Sequence, residues 1–378
     1  VCPDEGILKG LLGIVLVGIF MSVLDGTVVN IALPTMTAHF HARVSQSQWI
    51  VTAYLVCMTS LLLIFGRLSE TTGKARLFIG GFALFSVSSL LCGLSASLPM
   101  LILFRVVQAT GASMVFSISM AIVFEVFPVQ ERGRAMGFTG TAVALGGITG
   151  PPLGGFLVGS FGWPSIFFIN VPIGAALLSA AARDLRLKER RAAAFDMDWR
   201  GSAALVTLMV SLIITLGRIA RSPEPNAVTG GTAVLFIGSL ALFLFFEKRA
   251  IHPIVNLSVF RVRKFVLANV SSMAFFTASF MFNLIMPFYL EIVMQMRPAQ
   301  VGSVLITVPV MVFVMAPISG WIYDKTHSTL QSSLGLFVLA AALLALGFLA
   351  GRSTLGTLLP CFALMGLGNG LFLSPNSS

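Results

Sequence analysis

About twelve apolar runs, each long enough to cross a bilayer as a helix, follow one another along the 378-residue chain. They fall at roughly 10–34, 48–66, 77–97, 99–124, 135–159, 165–182, 201–219, 229–247, 265–290, 300–322, 331–350 and 354–375. In lipid every backbone amide needs a partner within the segment, so runs of this length become helices. The chain is therefore expected to be an all-α, polytopic membrane protein. Composition agrees. The chain is 57% hydrophobic and 10% charged, with a mean hydropathy of +0.96, whereas a soluble domain carries about 25% charge. The first run is not a cleaved leader, because Asp25 and Pro34 lie within it and no small-residue cleavage site follows.

A net charge of +10 would suggest nucleic acid as the partner of a soluble protein. Its placement gives another answer. With the N-terminus on the cytoplasmic side, 18 of the 24 Lys and Arg residues fall in inner loops, five (Arg43, Arg218, Arg221, Arg297, Arg352) in outer loops, and Arg105 within a span. That bias sets the orientation and directs the positive charge to the cytoplasm and anionic headgroups, with no nucleic-acid partner. The longest loop, 183–200, is basic and reads as a linker. It separates a six-helix segment, 1–182, from two helices at 201–249 and four more at 250–378.

The run 137–158 contains Leu-Gly-Gly-Ile-Thr-Gly-Pro-Pro-Leu-Gly-Gly, Leu145 to Gly155. Gly146, Gly150 and Gly154 recur every four residues and share a helical face that a neighbour can approach backbone to backbone. Pro151 and Pro152 remove two amide donors, so a bend is expected here, with Gly155 beside it. The same pattern also suits any kinked, close-packed membrane helix.

Two charges stand inside apolar runs. Asp25 lies about 16 residues into the first span, roughly 24 Å from its inner edge, and Arg105 enters the fourth from the outer side to roughly 9 Å. The two depths match. One reading is a structural ion pair; the other is that Asp25 exchanges a proton and Arg105 tunes it or competes with that proton. On the fourth span Gln108 sits one turn from Arg105. The loop from Gly66 to Arg76 holds Glu70, Gly73, Lys74 and Arg76 between two helix ends, and the Gly-x-x-x-Asp at Gly320–Asp324 repeats its Gly-x-x-x-carboxylate pattern on the same side. These are expected to be solvated turns or bridges of a cytoplasmic gate. In the ninth span Phe276, Phe280, Asn283, Pro287 and Glu291 fall on one face of a regular helix. That face suits an ordinary helix contact or, through stacking and cation–π attraction, a site for flat apolar cations.

No phosphate loop, nucleophile–base set or metal cluster is present in the sequence, which points away from an enzyme and from any cofactor. His39 and His41 fit a solvated loop better than a metal site.

The quoted stretches resemble the major facilitator superfamily, and within it the 14-helix drug:proton antiporters, EmrB- and QacA-like. Leu24-Asp25-Gly26-Thr27-Val28-Val29-Asn30-Ile31-Ala32-Leu33-Pro34 is similar to that family's first-helix motif. Gly66–Arg76 is similar to the loop motif between helices two and three, with Glu70 for the usual aspartate. Arg105-Val106-Val107-Gln108-Ala109-Thr110-Gly111 resembles the fourth-helix motif, with Ala109 for glycine, and Gly146–Gly155 the antiporter motif. Phe168-Ile169-Asn170-Val171-Pro172-Ile173-Gly174 resembles the sixth-helix signature, although Pro164-Ser165 departs from its Arg-Trp. Asp198-Trp199-Arg200-Gly201 resembles the opening of the two extra central helices. The resemblance implies a multi-pass protein of the bacterial inner membrane, about 12 of an expected 14 helices being present in a partial chain. It implies alternating access and export of hydrophobic, cationic drugs against protons. Asn30, Gln108, Phe276, Phe280, Asn283 and Glu291 are the substrate-cavity candidates. A periplasmic adaptor protein is a further implied partner, and export of another small molecule is the competing reading.

Overall fold

The computed structural model describes residues 5–126, 129–184, 199–221, 226–249, 257–326, 330–349 and 354–376. All regular structure among them is helical. The order is α1 (Glu5–His39), α2 (Val44–Ser47), α3 (Trp49–Thr72), α4 (Lys74–Gly93), α5 (Leu98–Val126), α6 (Val129–Phe161), α7 (Ser165–Phe168) and α8 (Asn170–Asp184). There follow α9 (Trp199–Arg221), α10 (Ala227–Arg249), α11 (Arg263–Phe288), α12 (Pro298–Leu305), α13 (Thr307–Thr326), α14 (Leu330–Leu349) and α15 (Leu355–Asn376). Among the described residues ten helices are long and apolar enough to cross a membrane, and Ser165–Ala181 is a shorter apolar segment. The fifth expected span lies within α6 and the sixth within α7–α8, both outside that group of ten. The basic linker lies for the most part outside the described residues.

The chain divides into two compact units. The first holds Val1–Ser22, Ala42–Thr139 and Phe167–Val262; the second holds Val23–His41, Gly140–Ile166 and Arg263–Ser378. In the first, α4 and α5 meet through glycines. A Cβ on Gly111 would stand 2.6 Å from the Phe85 nitrogen and 2.7 Å from the Gly81 carbonyl oxygen. The two backbones can touch only because neither residue has a side chain, which is the packing a membrane interior favours. The α3–α4 connection turns on Gly73, whose φ of 101° suits glycine alone. α9 and α10 form a hairpin with its own small core of Ala204, Leu205, Leu208 and Phe243.

In the second unit the core gathers Ile31 with Phe275, Phe282, Leu339, Phe362 and Phe372. Phe275 and Phe372 stack at 4.5 Å. α14 and α15 repeat the glycine device: a Cβ on Gly335 would lie 2.8 Å from the Gly368 carbonyl oxygen. Large apolar side chains on α10 and α14, such as Val234 and Phe348, are exposed. In a soluble protein such surfaces would aggregate; here they are the faces a bilayer would cover.

Candidate functional site

Arg105 is the largest fully buried side chain of the described residues, 1% exposed. Leu98–Val126 is apolar enough to stay helical through the bilayer, which carries the guanidinium to a depth where water cannot solvate it. Neighbouring helices supply the replacement. Arg105 Nε donates to the Ile50 carbonyl at 3.3 Å, and Nη1 donates to Gln108 Oε1 at 2.6 Å. The guanidinium lies 3.9 Å from the centre of the Tyr54 ring and 5.8 Å from that of Phe167. Gln108 passes the chain on, its Nε2 donating to Ser89 Oγ at 2.6 Å. Asn170 Nδ2 donates to the same hydroxyl at 3.4 Å. Groups from α3, α5 and α7 thus meet the cation directly, and α4 and α8 join the network through Gln108 and Ser89. Each hydrogen bond to a charged group is worth about 1.5–3 kcal/mol, and a desolvated cation–π contact about 2 kcal/mol. Arginine stays protonated in proteins, so the site is a fixed positive charge held inside a membrane span.

Asp25, on α1, is 2% exposed. It belongs to the second unit and Arg105 to the first. Gln108 is fully buried, with both ends of its amide engaged in the Arg105 network. Asn30 is half-buried on α1.

The glycine stretch of α6 packs on two sides within the second unit. Gly150 abuts Thr27, and Thr27 Oγ1 reaches the Gly146 carbonyl at 3.5 Å. A Cβ on Gly154 would stand 3.3 Å from Val28 Cα. Gly155 faces elsewhere: a Cβ there would meet the Pro298 carbonyl oxygen at 2.5 Å and Ala299 Cα at 3.1 Å, at the start of α12. Pro151 abuts Gly302 of the same helix. α6 remains helical through both prolines.

The expected gate is more local. Glu70 pairs with Arg67, one turn back on its own helix, at 3.4 Å; Glu70 is exposed and Arg67 half-buried. Ser69 is buried and donates to the Gly66 carbonyl at 2.7 Å. Gly66 stands close to Ser117 of α5, Lys74 is half-buried and Arg76 exposed. The Asp324 side chain lies outside the described residues.

The ninth-span face departs from the regular helix used to draw it. Phe276 and Phe280 are exposed, as is Asn283, whose Nδ2 donates to the Ser279 carbonyl; Pro287 is buried. The α-helix then ends at Phe288 and continues as a π-turn, Tyr289–Val293, closed by Met294 N to Tyr289 O at 3.1 Å. Glu291 lies within this π-turn and is half-buried. It accepts the Thr35 hydroxyl of α1 at 3.2 Å.

A family model described as "Major Facilitator Superfamily" matches residues 15–378. The chain belongs to the Major Facilitator Superfamily. Within it, the chain is 34% identical over 372 residues to the riboflavin transporter RibZ of Clostridioides difficile, covering 97% of this chain and 79% of that one. It is 30% identical to the multidrug resistance protein B homolog of Mycobacterium tuberculosis, covering 99% and 70%. Among solved structures, a peptide transporter POT in complex with sulfate matches with a TM-score of 0.70 at 15% identity, covering 96% of this chain and 80% of that one; at that identity the likeness speaks for the fold alone. The protein is therefore a multi-span membrane transporter of the superfamily, handling small molecules.

Tyr54, Ser89 and Asn170 were missed as site residues by sequence reasoning. The signal available was polarity inside apolar runs, which Ser89 shares with Ser86 and Ser88 and so does not single it out.

Proposed function

We propose that this transporter exports hydrophobic, cationic compounds in exchange for protons, by alternating access. The observation that carries the reading is the pair of ionisable groups almost wholly buried within membrane spans, Asp25 and Arg105. Such groups are costly in lipid, and in transporters they mark ion pathways. Asp25 is the group that takes and releases the proton; Arg105 is the permanent charge that its network holds in place. The multidrug relatives support a drug as cargo. Phe276 and Phe280, exposed side by side on α11, offer ring faces to a flat cation. On this reading the chain carries twelve helices of a 14-helix plan, with α9 and α10 as the inserted pair, and sits in a bacterial inner membrane with its N-terminus cytoplasmic. Glu70 belongs to its cytoplasmic gate, and a periplasmic adaptor is its partner.

A second reading has its own support: the relative named a riboflavin transporter is 34% identical over nearly the whole chain. A neutral, flat vitamin would use the same aromatic surfaces without needing a negative charge. The full chain in proteoliposomes separates the two. An imposed proton gradient should drive accumulation of a lipophilic dye cation, and a protonophore should abolish it. Gradient-driven movement of riboflavin with no movement of dye cations would replace the first reading by the second.

A further inference from the structure

The α9–α10 hairpin has no part in the transport reading beyond its presence. It packs on α3 but does not close against it at one end. A cavity of about 530 Å³ opens there, within the first unit, between the start of α3, the last turns of α9 and the start of α10. This is the end of α3 opposite the Gly66–Arg76 loop, hence one membrane interface.

Its wall is graded. Ser45 and Gln48 stand at the mouth from the α2–α3 side, with Asn226 and Thr229 at the start of α10. Asn226 Oδ1 accepts the Val228 amide at 3.2 Å, so the partial positive charge of the α10 N-terminus lies at the same mouth. Ile213 and Ile214 line the deeper part, roughly 7 Å further along α9 than Arg218 at 1.5 Å per residue. Among the described residues, Arg218 is the charged side chain in the wall, and Trp49 lines the same cavity. Gly217 adds room: a Cβ there would meet nothing within 4 Å.

We propose that this cleft binds an anionic phospholipid, its phosphate on Arg218 and its acyl chain along Ile213 and Ile214. A cation at the mouth repels the cationic compounds of the transport reading, so the cleft is not a second cargo site. A free inorganic anion would leave the apolar wall without a purpose. An amphiphile uses both, and Arg and Trp at headgroup level are the residues that meet one there. The volume falls within the range of small-molecule pockets, about 300–1,000 Å³, enough for a headgroup and the first carbons of a chain. Such a lipid would tie the hairpin to α3.

The test reads Trp49. The full chain is placed in phosphatidylcholine nanodiscs doped with dibrominated phosphatidylglycerol or, as control, dibrominated phosphatidylcholine. The quenching owed to Trp49 is the difference between the wild type and Trp49→Phe. One well-placed cation near the surface should favour the anionic lipid about fivefold. Arg218→Gln should reduce quenching by the anionic lipid to the level of the neutral one. Gly217→Leu, which fills open space, should weaken quenching by both. Excess inorganic phosphate at fixed ionic strength should change nothing. Equal quenching by the two lipids, a preference that survives Arg218→Gln, or relief of quenching by phosphate would each overturn the proposal, the last by revealing a free-anion site.

Discussion

The Arg105 region and the glycine face of α6 solve the same problem, close contact between helices in a solvent as apolar as they are, in opposite ways. Around Arg105 the contact is directional: four polar or aromatic groups, the Ile50 carbonyl, Gln108, Tyr54 and Ser89, point at one charge or at its neighbour Gln108, and Asn170 joins through Ser89. Around Gly150 and Gly154 it is steric: side chains are absent, and the α1 backbone approaches the α6 backbone. The first arrangement fixes a charge and resists rearrangement, because any shift leaves a buried polar group unsatisfied. The second has few bonds to break, so two helices can slide or rock provided nothing fills the gap. A transporter needs both, a rigid site and a surface that moves.

The comparison can be broken most severely at Gly150. Gly150→Leu places a branched side chain into the space held by Thr27. Transport should fall more than about tenfold while the protein still inserts, since overpacking of this kind costs about 1–3 kcal/mol or more. Flux and membrane-fraction yield, measured together, check it; unimpaired flux would remove the steric role. At Arg105 the expected loss is of another kind. Arg105→Lys keeps the charge but not the planar fork that bonds Ile50 and Gln108 while stacking on Tyr54. Thermal unfolding in detergent should register a destabilisation of about 1–3 kcal/mol, whereas a lysine variant as stable as wild type would show that the network holds nothing. The smallest effect belongs to Glu70. Its bond to Arg67 is exposed and local, so Glu70→Gln should change stability by less than about 0.5 kcal/mol. If Glu70 nevertheless serves the gate, distances across the cytoplasmic ends, measured between spin labels, should shift in that variant while stability does not.

The two regions also differ in how far the sequence revealed them. The spacing of Gly146, Gly150 and Gly154 is local, and a four-residue repeat needs no knowledge of the neighbour to define a face. Arg105 was equally plain as a charge in an apolar run. Its partners were not, because Tyr54, Ser89 and Asn170 come from other helices and nothing in their own surroundings points to an arginine. The ninth span shows the limit of periodicity: its face was drawn on a regular helix, and the α-helix gives way to a π-turn after Phe288. No residue type in Tyr289–Val293 announces that turn. The Gly66–Arg76 stretch was read as a loop of solvated turns or gate bridges; most of it is helical, with the turn at Gly73, and Glu70 pairs with Arg67 on its own helix.

The central claim is that the charge held at Asp25 changes as access alternates while that at Arg105 does not. Asp25→Asn fixes the neutral form and tests this most directly. In proteoliposomes with an imposed proton gradient, the variant should lose uphill accumulation of a lipophilic dye cation. Downhill exchange of the same dye should persist. Undiminished gradient-driven accumulation by Asp25→Asn, at the proton-to-dye ratio of the wild type, would contradict the account.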